Sequence, residues 1–293
     1  MDWTKAKTIL IIAFLATNLF LGANLLFAQP HQEAAAVGDQ YIEQTIQFLA
    51  EQDVTIETTL PHAIPSLASV TVEYHFFPAA ETAELLLGSS RFETVEAGVF
   101  ENEQGRVTIT NEKQLVFQNF VQDDLLPDMN EQTLEETSRE FLSAHGLFPE
   151  GLSLQQIYVG ILPEYDSDPL HKLVYEQTHQ NRFIGESYVH VFLNQRGIVA
   201  VEALLLNIPE EAGQVGTPRP MISAPEAVLR KLEAILEQNR NRGPIVISRI
   251  EPGYYFTLTR DPVTQWETVA SGTAVPAWKI VLKNGDTYYQ EAF

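Results

Sequence analysis

Seven histidines, at positions 31, 62, 75, 145, 171, 179 and 190, are the side chains of this 293-residue sequence best suited to metal or acid–base chemistry. Two imidazoles share an ion when they stand i, i+4 on a helix or i, i+2 on a strand, and no pair here has either spacing. The scatter predicts no metal site. His75, in VEYHFF, and His190, in YVHVFL, sit among strand formers, which predicts hydrogen-bonded sheet histidines rather than pH sensors. The run Glu164-Tyr165-Asp166-Ser167-Asp168 alternates carboxylates as a calcium loop does, but such a loop needs a glycine and a distal glutamate at fixed offsets, and Pro169 follows instead. A solvated loop is expected there. Trp266 and Trp278 are expected to pack against the last sheet rather than stack on a sugar. The sequence has no nucleophile elbow, Walker A loop, H-E-x-x-H helix or dinucleotide fingerprint. With no cysteine it has no thiol chemistry and no disulfide. The expectation is a non-enzyme with no catalytic residue, no cofactor and no bound metal.

The polar residues that remain distinctive lie in an apolar setting. Thr8 to Ala28, TILIIAFLATNLFLGANLLFA, has about the 20 residues an α-helix needs to cross the hydrocarbon of a bilayer. A cleaved signal peptide is the rival reading. Its apolar region usually runs about 7–15 residues, and Leu26 stands three residues before the best cut, where a small side chain is wanted. A transmembrane helix over 8–28 is therefore expected, with 1–7 in the cytoplasm, because Lys5 and Lys7 precede it and no Lys or Arg follows until Arg91. Trp3 falls at the interface. The rest of the chain is expected outside the cytoplasm. Within the helix, Phe14, Asn18, Gly22 and Leu25 fall along one side, with Thr17, Leu21 and Asn24 beside them. An amide in hydrocarbon seeks a partner, and glycine permits close backbone approach, so Thr17, Asn18, Gly22 and Asn24 are the candidate contacts to another membrane helix. The bland alternative is that a single-pass anchor simply tolerates them.

Charge narrows the partners. The whole chain carries −21 and its first 28 residues +1 (Lys5 and Lys7 against Asp2), which leaves −22 beyond the apolar segment. Such a surface repels nucleic acid and excludes it as a partner; solubility, cation binding or a basic partner remain as reasons for the charge. With 45% hydrophobic residues, the part beyond the anchor has enough apolar material for a real core.

Residues 29–38 read as a tether. Asp39 is the expected cap of an amphipathic helix striped by Tyr41, Ile42, Thr45, Ile46 and Leu49. Strands are expected at 54–56, 70–77, 91–97 and 99–118, with a short helix over 80–87 stopped by Gly88. This N-terminal α+β domain, 39–122, is expected to give way near Asp123-Asp124 to a C-terminal α+β domain, 123–293. That domain opens with a helix capped by Asn130 or Thr133, followed by strands at 155–162, 171–179, 187–194 and 198–206. Asn207 to Ala224, with three prolines and two glycines, reads as a linker and a second internal boundary. A further helix capped at Ser223 or Ala224 and strands at 245–250, 254–259, 276–282 and 286–292 repeat the order of elements. The expected fold class is α+β: antiparallel sheets with packed helices, and two tandem helix-plus-sheet modules as one reading of the C-terminal half.

The opening Met1-Asp2-Trp3-Thr4-Lys5-x-Lys7-Thr8-Ile9, running into Phe14-Leu15, Asn18 and Phe20-Leu21, resembles the start of the YycI (WalI) family. The length, the single N-terminal anchor and the closing segment from Val275 to Phe293 fit that family too. The resemblance implies a membrane protein of low-GC Gram-positive bacteria with an extracellular domain. It implies partners as well: the YycG (WalK) sensor histidine kinase of the essential cell-wall two-component system and a sister membrane protein, YycH, with kinase output restrained or tuned. The alternative of another class is an extracytoplasmic ligand-binding module for cell-wall fragments or cations, using Trp266, Trp278 or the Asp166 cluster.

Overall fold

The computed structural model describes residues 36–123, 125–160, 170–209, 214–256 and 269–293. The apolar segment 8–28, with Thr17, Asn18, Gly22 and Asn24, lies outside the described residues, as do Trp266 and the acidic run 164–168. Among the described residues no helix is long and apolar enough to cross a membrane.

The first half runs α1 (Asp39–Glu51), β1 (Val54–Ile56), β2 (Ser66–Tyr74), α2 (Ala79–Leu87), β3 (Glu93–Glu96), β4 (Val99–Glu101), β5 (Gly105–Thr110), β6 (Gln114–Asn119) and α3 (Glu131–Ala144). The second runs β7 (Leu152–Gly160), β8 (Leu170–His179), β9 (Arg182–Asn194), β10 (Gly197–Leu204), β11 (Leu206–Asn207), β12 (Gln214–Pro220), α4 (Ala224–Gln238), β13 (Ile245–Tyr255), β14 (Ser271–Leu282) and β15 (Thr287–Glu291). The class is mixed α+β, mostly sheet.

Local chemistry sets the helix ends. The Asn130 side chain accepts from the Thr133 N–H at 2.9 Å, and the Ser223 hydroxyl accepts from the Glu226 N–H at 3.3 Å, with Pro225 in the first turn of α4. Each satisfies a donor that the first turn leaves over. Gly88 ends α2 in the left-handed region at φ 63°. At α1 the cap is Gly38, and Asp39 is instead the first helical residue, where its carboxylate faces the positive end of the helix dipole.

The described strands join into one hydrogen-bonded network along the path β11-β2-β14-β13-β9-β10-β6-β5-β4-β3, with β7 and β8 on β9, β15 on β14, β1 on β13 and β12 on β2. Pairing is antiparallel except for β1 and β9 against β13. It runs across the boundaries expected near 122 and over 207–224: β2 pairs with β14, and β6 with β10. The stretch 207–224 is not a plain linker. It holds β12, which pairs with β2 and whose seven residues are all exposed, so no apolar rhythm marked it as a strand. The expected strand over 91–97 shortens to β3, exposed throughout.

Two large cores result. One gathers α2, α3 and β5 to β10, with Leu134, Leu142, Leu173, Tyr175, Val189 and Val201 all at 1% exposure or less. The other joins Ile42 and Leu49 of α1 and Val54 of β1 to α4, β13, β14 and β15, with Val228, Ile235, Ile247, Trp278 and Ile280 fully buried. The helix α4 thus shares its core with the N-terminal helix, some 180 residues earlier in the chain.

Candidate functional site

Strand alternation places the site. In β8, Leu173 and Tyr175 are fully buried on the helix side, so Lys172, Val174 and Glu176 project from the other face. In β9, Val189, Val191 and Leu193 are buried, and Tyr188 and His190 take the opposite face. In β14, Trp278, Ile280 and Leu282 meet α4, which turns Lys279 and Val281 the other way. A register shift between Ile247 and Arg249 puts Arg249 on that face as well. The strands enclose a cleft of about 260 Å³ within the second half of the chain, lined at one side by Tyr158 of β7 and at another by Tyr289 of β15.

Charge in the cleft is arranged in pairs. The Lys279 ammonium, 1% exposed, donates to Glu176 and lies 2.6 Å from Glu251 and 4.8 Å from the centre of the Phe183 ring. Arg249 donates to the Gln155 side-chain oxygen at 2.6 Å and approaches Glu176 at 3.7 Å and Glu251 at 3.8 Å. Two cations therefore face two carboxylates, contributed by β8, β13 and β14. A buried ammonium of this kind persists only when carboxylates compensate its lost hydration.

Beside this quartet, His190 Nδ1 lies 3.2 Å from Glu202 and its ring stacks on Tyr188 at 4.3 Å. Burial holds the imidazole below its ordinary pKa; the hydrogen bond to Glu202 opposes that, and the neighbouring Lys172 cation adds to it. Lys172 is itself lowered by burial, against the pull of Glu202. Burial raises the Tyr158 and Tyr188 phenols and pushes that of Tyr289, stacked on Tyr255 at 4.4 Å, far above its ordinary value. The arrangement is suited to holding charge and to binding. Among the described residues no three His, Asp or Glu side chains converge to hold a metal ion.

The residues singled out from sequence are placed as follows. Trp278 is fully buried, and its indole N–H donates to the Ile222 carbonyl at 2.9 Å, so it belongs to the α4 core. His75 is lowered by burial and packs edge-on against Phe77 at 4.8 Å. Among the described histidines, His190 alone lines the cleft. The Lys279–Glu176–Glu251–Arg249 group was not anticipated. The available signal was a charge set in an apolar strand, as in AWKIVL around Lys279, but only strand pairing shows which carboxylates face it.

The YycI protein family model matches residues 32–293. The chain belongs to the YycI family. Comparison with curated proteins gave no match. Among solved structures, an uncharacterized protein from Eubacterium rectale is similar at 13% identity and TM-score 0.47, over 82% of this chain and 85% of that one. YycH from Bacillus subtilis is similar at 13% identity and TM-score 0.48, over 78% of this chain and 53% of YycH, about half its length. The C-terminal domain of YpeB from Bacillus megaterium is similar at 12% identity and TM-score 0.34, over 73% of this chain and 91% of that domain.

Proposed function

We propose that this YycI-family chain is a non-enzymatic, membrane-anchored regulator within the YycFG two-component system. It associates with the YycG-type sensor kinase and a YycH-like membrane protein and tunes kinase output. The observation that carries the reading is the family match over residues 32–293. The apolar segment 8–28, with its preceding lysines, supports a single pass with residues 1–7 in the cytoplasm, 29–38 as tether and the folded part extracellular. Thr17, Asn18, Gly22 and Asn24 are the proposed contacts in the bilayer.

The mechanism is linkage. A subunit that binds one kinase state better than the other shifts that equilibrium by the difference in affinity and by no more. The test is capture from membranes, comparing the full chain with a version whose first 28 residues are an unrelated anchor of equal length. Loss of the kinase with the foreign anchor places recognition in the bilayer, and retention places it in the folded part. If neither version captures kinase or YycH-like protein, the proposal fails. Full kinase regulation by an Asn18→Leu, Asn24→Leu double variant would count against these anchor contacts.

A further inference from the structure

A sheet with free edges exposes rows of N–H and C=O groups, and proteins blunt them with charge, proline, short strands or bulges. The strands with a single described partner follow this rule with one exception. β1 and β11 are three and two residues long; β3 reads ETVE; β12 carries Pro218 and Pro220; β15 ends on Glu291. The exception is β7, nine residues reading LSLQQIYVG, with no charge and no proline. Its single blunting feature is a register shift between Leu154 and Gln156, beyond which Gln156 to Gly160 pair without interruption with Val174 to Leu170. No described strand pairs with its outer edge. Val159, 66% exposed, follows Ile157 on the helix-side face and extends past the core that Ile157 packs against.

We propose that the Gln156–Gly160 edge of β7 is a docking site for an extended segment of another protein, added as a further strand and bearing Lys or Arg at its ends. Backbone pairing supplies the attachment, and an apolar side chain of the added strand covers Val159. The charge of the occupant follows from the chain's own. At −21, two copies meeting edge to edge repel one another, whereas a basic segment is steered toward the same uncharged edge. The inference does not depend on the kinase reading.

The test uses the full chain in neutral-lipid nanodiscs and two synthetic nine-residue peptides with the same alternating Val/Thr core, one with two lysines at each end and one with two glutamates. Amide hydrogen exchange at Gln156–Gly160 is expected to slow with the lysine peptide and not with the glutamate peptide. Val159→Lys is expected to weaken binding of the lysine peptide about ten-fold by placing a like charge at the edge. Val159→Thr keeps the β-branch and binds as the parent does. Unchanged exchange in β8 and β9 verifies that each variant is folded. The proposal is overturned if the lysine peptide leaves β7 exchange unaltered, if both peptides protect it equally, or if protection rises with protein concentration alone, which would make a second copy the occupant.

Discussion

Replacing Glu176 by glutamine tests whether the quartet in the cleft ties β8 to β13 and β14. At 2.6 Å and an effective dielectric near 20, the attraction between Lys279 and Glu251 is about 6 kcal/mol before desolvation. Desolvating the ammonium and the carboxylates returns several kcal/mol of that, so the intact group is close to balance. Removing one carboxylate upsets the balance, because the Lys279 ammonium stays 1% exposed with half its compensation gone. Breaking a fully buried pair costs about 3–5 kcal/mol. Glu176 is 17% and Glu251 33% exposed, and Glu251 remains, so about 2–3 kcal/mol is expected for Glu176→Gln. Adding Lys279→Met, which removes the stranded charge and fills its volume, should recover at least about 1 kcal/mol, a positive coupling of the two sites. The assay is urea unfolding of the full chain in micelles followed by tryptophan fluorescence, for parent, both single variants and the double. A cost below about 0.5 kcal/mol for Glu176→Gln, or strict additivity in the cycle, would refute the argument that the ammonium depends on Glu176.

Other expectations follow from single contacts. In Gly253→Ala the new methyl would lie 2.6 Å from carbons of the Phe183 ring across the parallel β9–β13 pairing, so a loss of about 1–3 kcal/mol is expected in thermal or urea unfolding. Asn130→Ala removes the cap of α3 and should cost about 1 kcal/mol, with Asn130→Asp near neutral, read from the same unfolding curves. His190 is held below its unfolded pKa by burial, so the unfolded chain binds the extra proton first. Its contribution is complete above about pH 6.5 and is lost as pH falls through the range below that value. His75 and His171 are lowered in the same sense, so His190→Gln should reduce, without abolishing, the fall in the urea midpoint between pH 8 and pH 5.

Most helices were legible because their signals are local. The cap at Asn130, the Ser223-Pro225 start and the Gly88 stop all act within one turn, and the stripes of α1, α3 and α4 recur at helical spacing. Strands with one buried face, such as β5 with Val107 and Ile109, were equally clear from alternation. β12 was not, since a strand exposed on both faces has no alternation to read. The cleft was legible only as scattered parts: Glu176, Glu251 and Lys279 are charges in three separate strands, and nothing within any one strand says that they meet.

By itself, the sequence determined the α+β class, the limits of α2, α3 and α4, the burial of Trp278 and, through its opening residues, the family. Each depends on interactions within a few residues or on overall composition. Which strands distant in the chain pair was decided by tertiary structure alone. The placement of α1 beside α4, the pairing of β2 with β11, and the quartet around Lys279 all join residues far apart in the chain. Such contacts are selected by the joint burial of whole faces, and a face exists only once its strands are side by side.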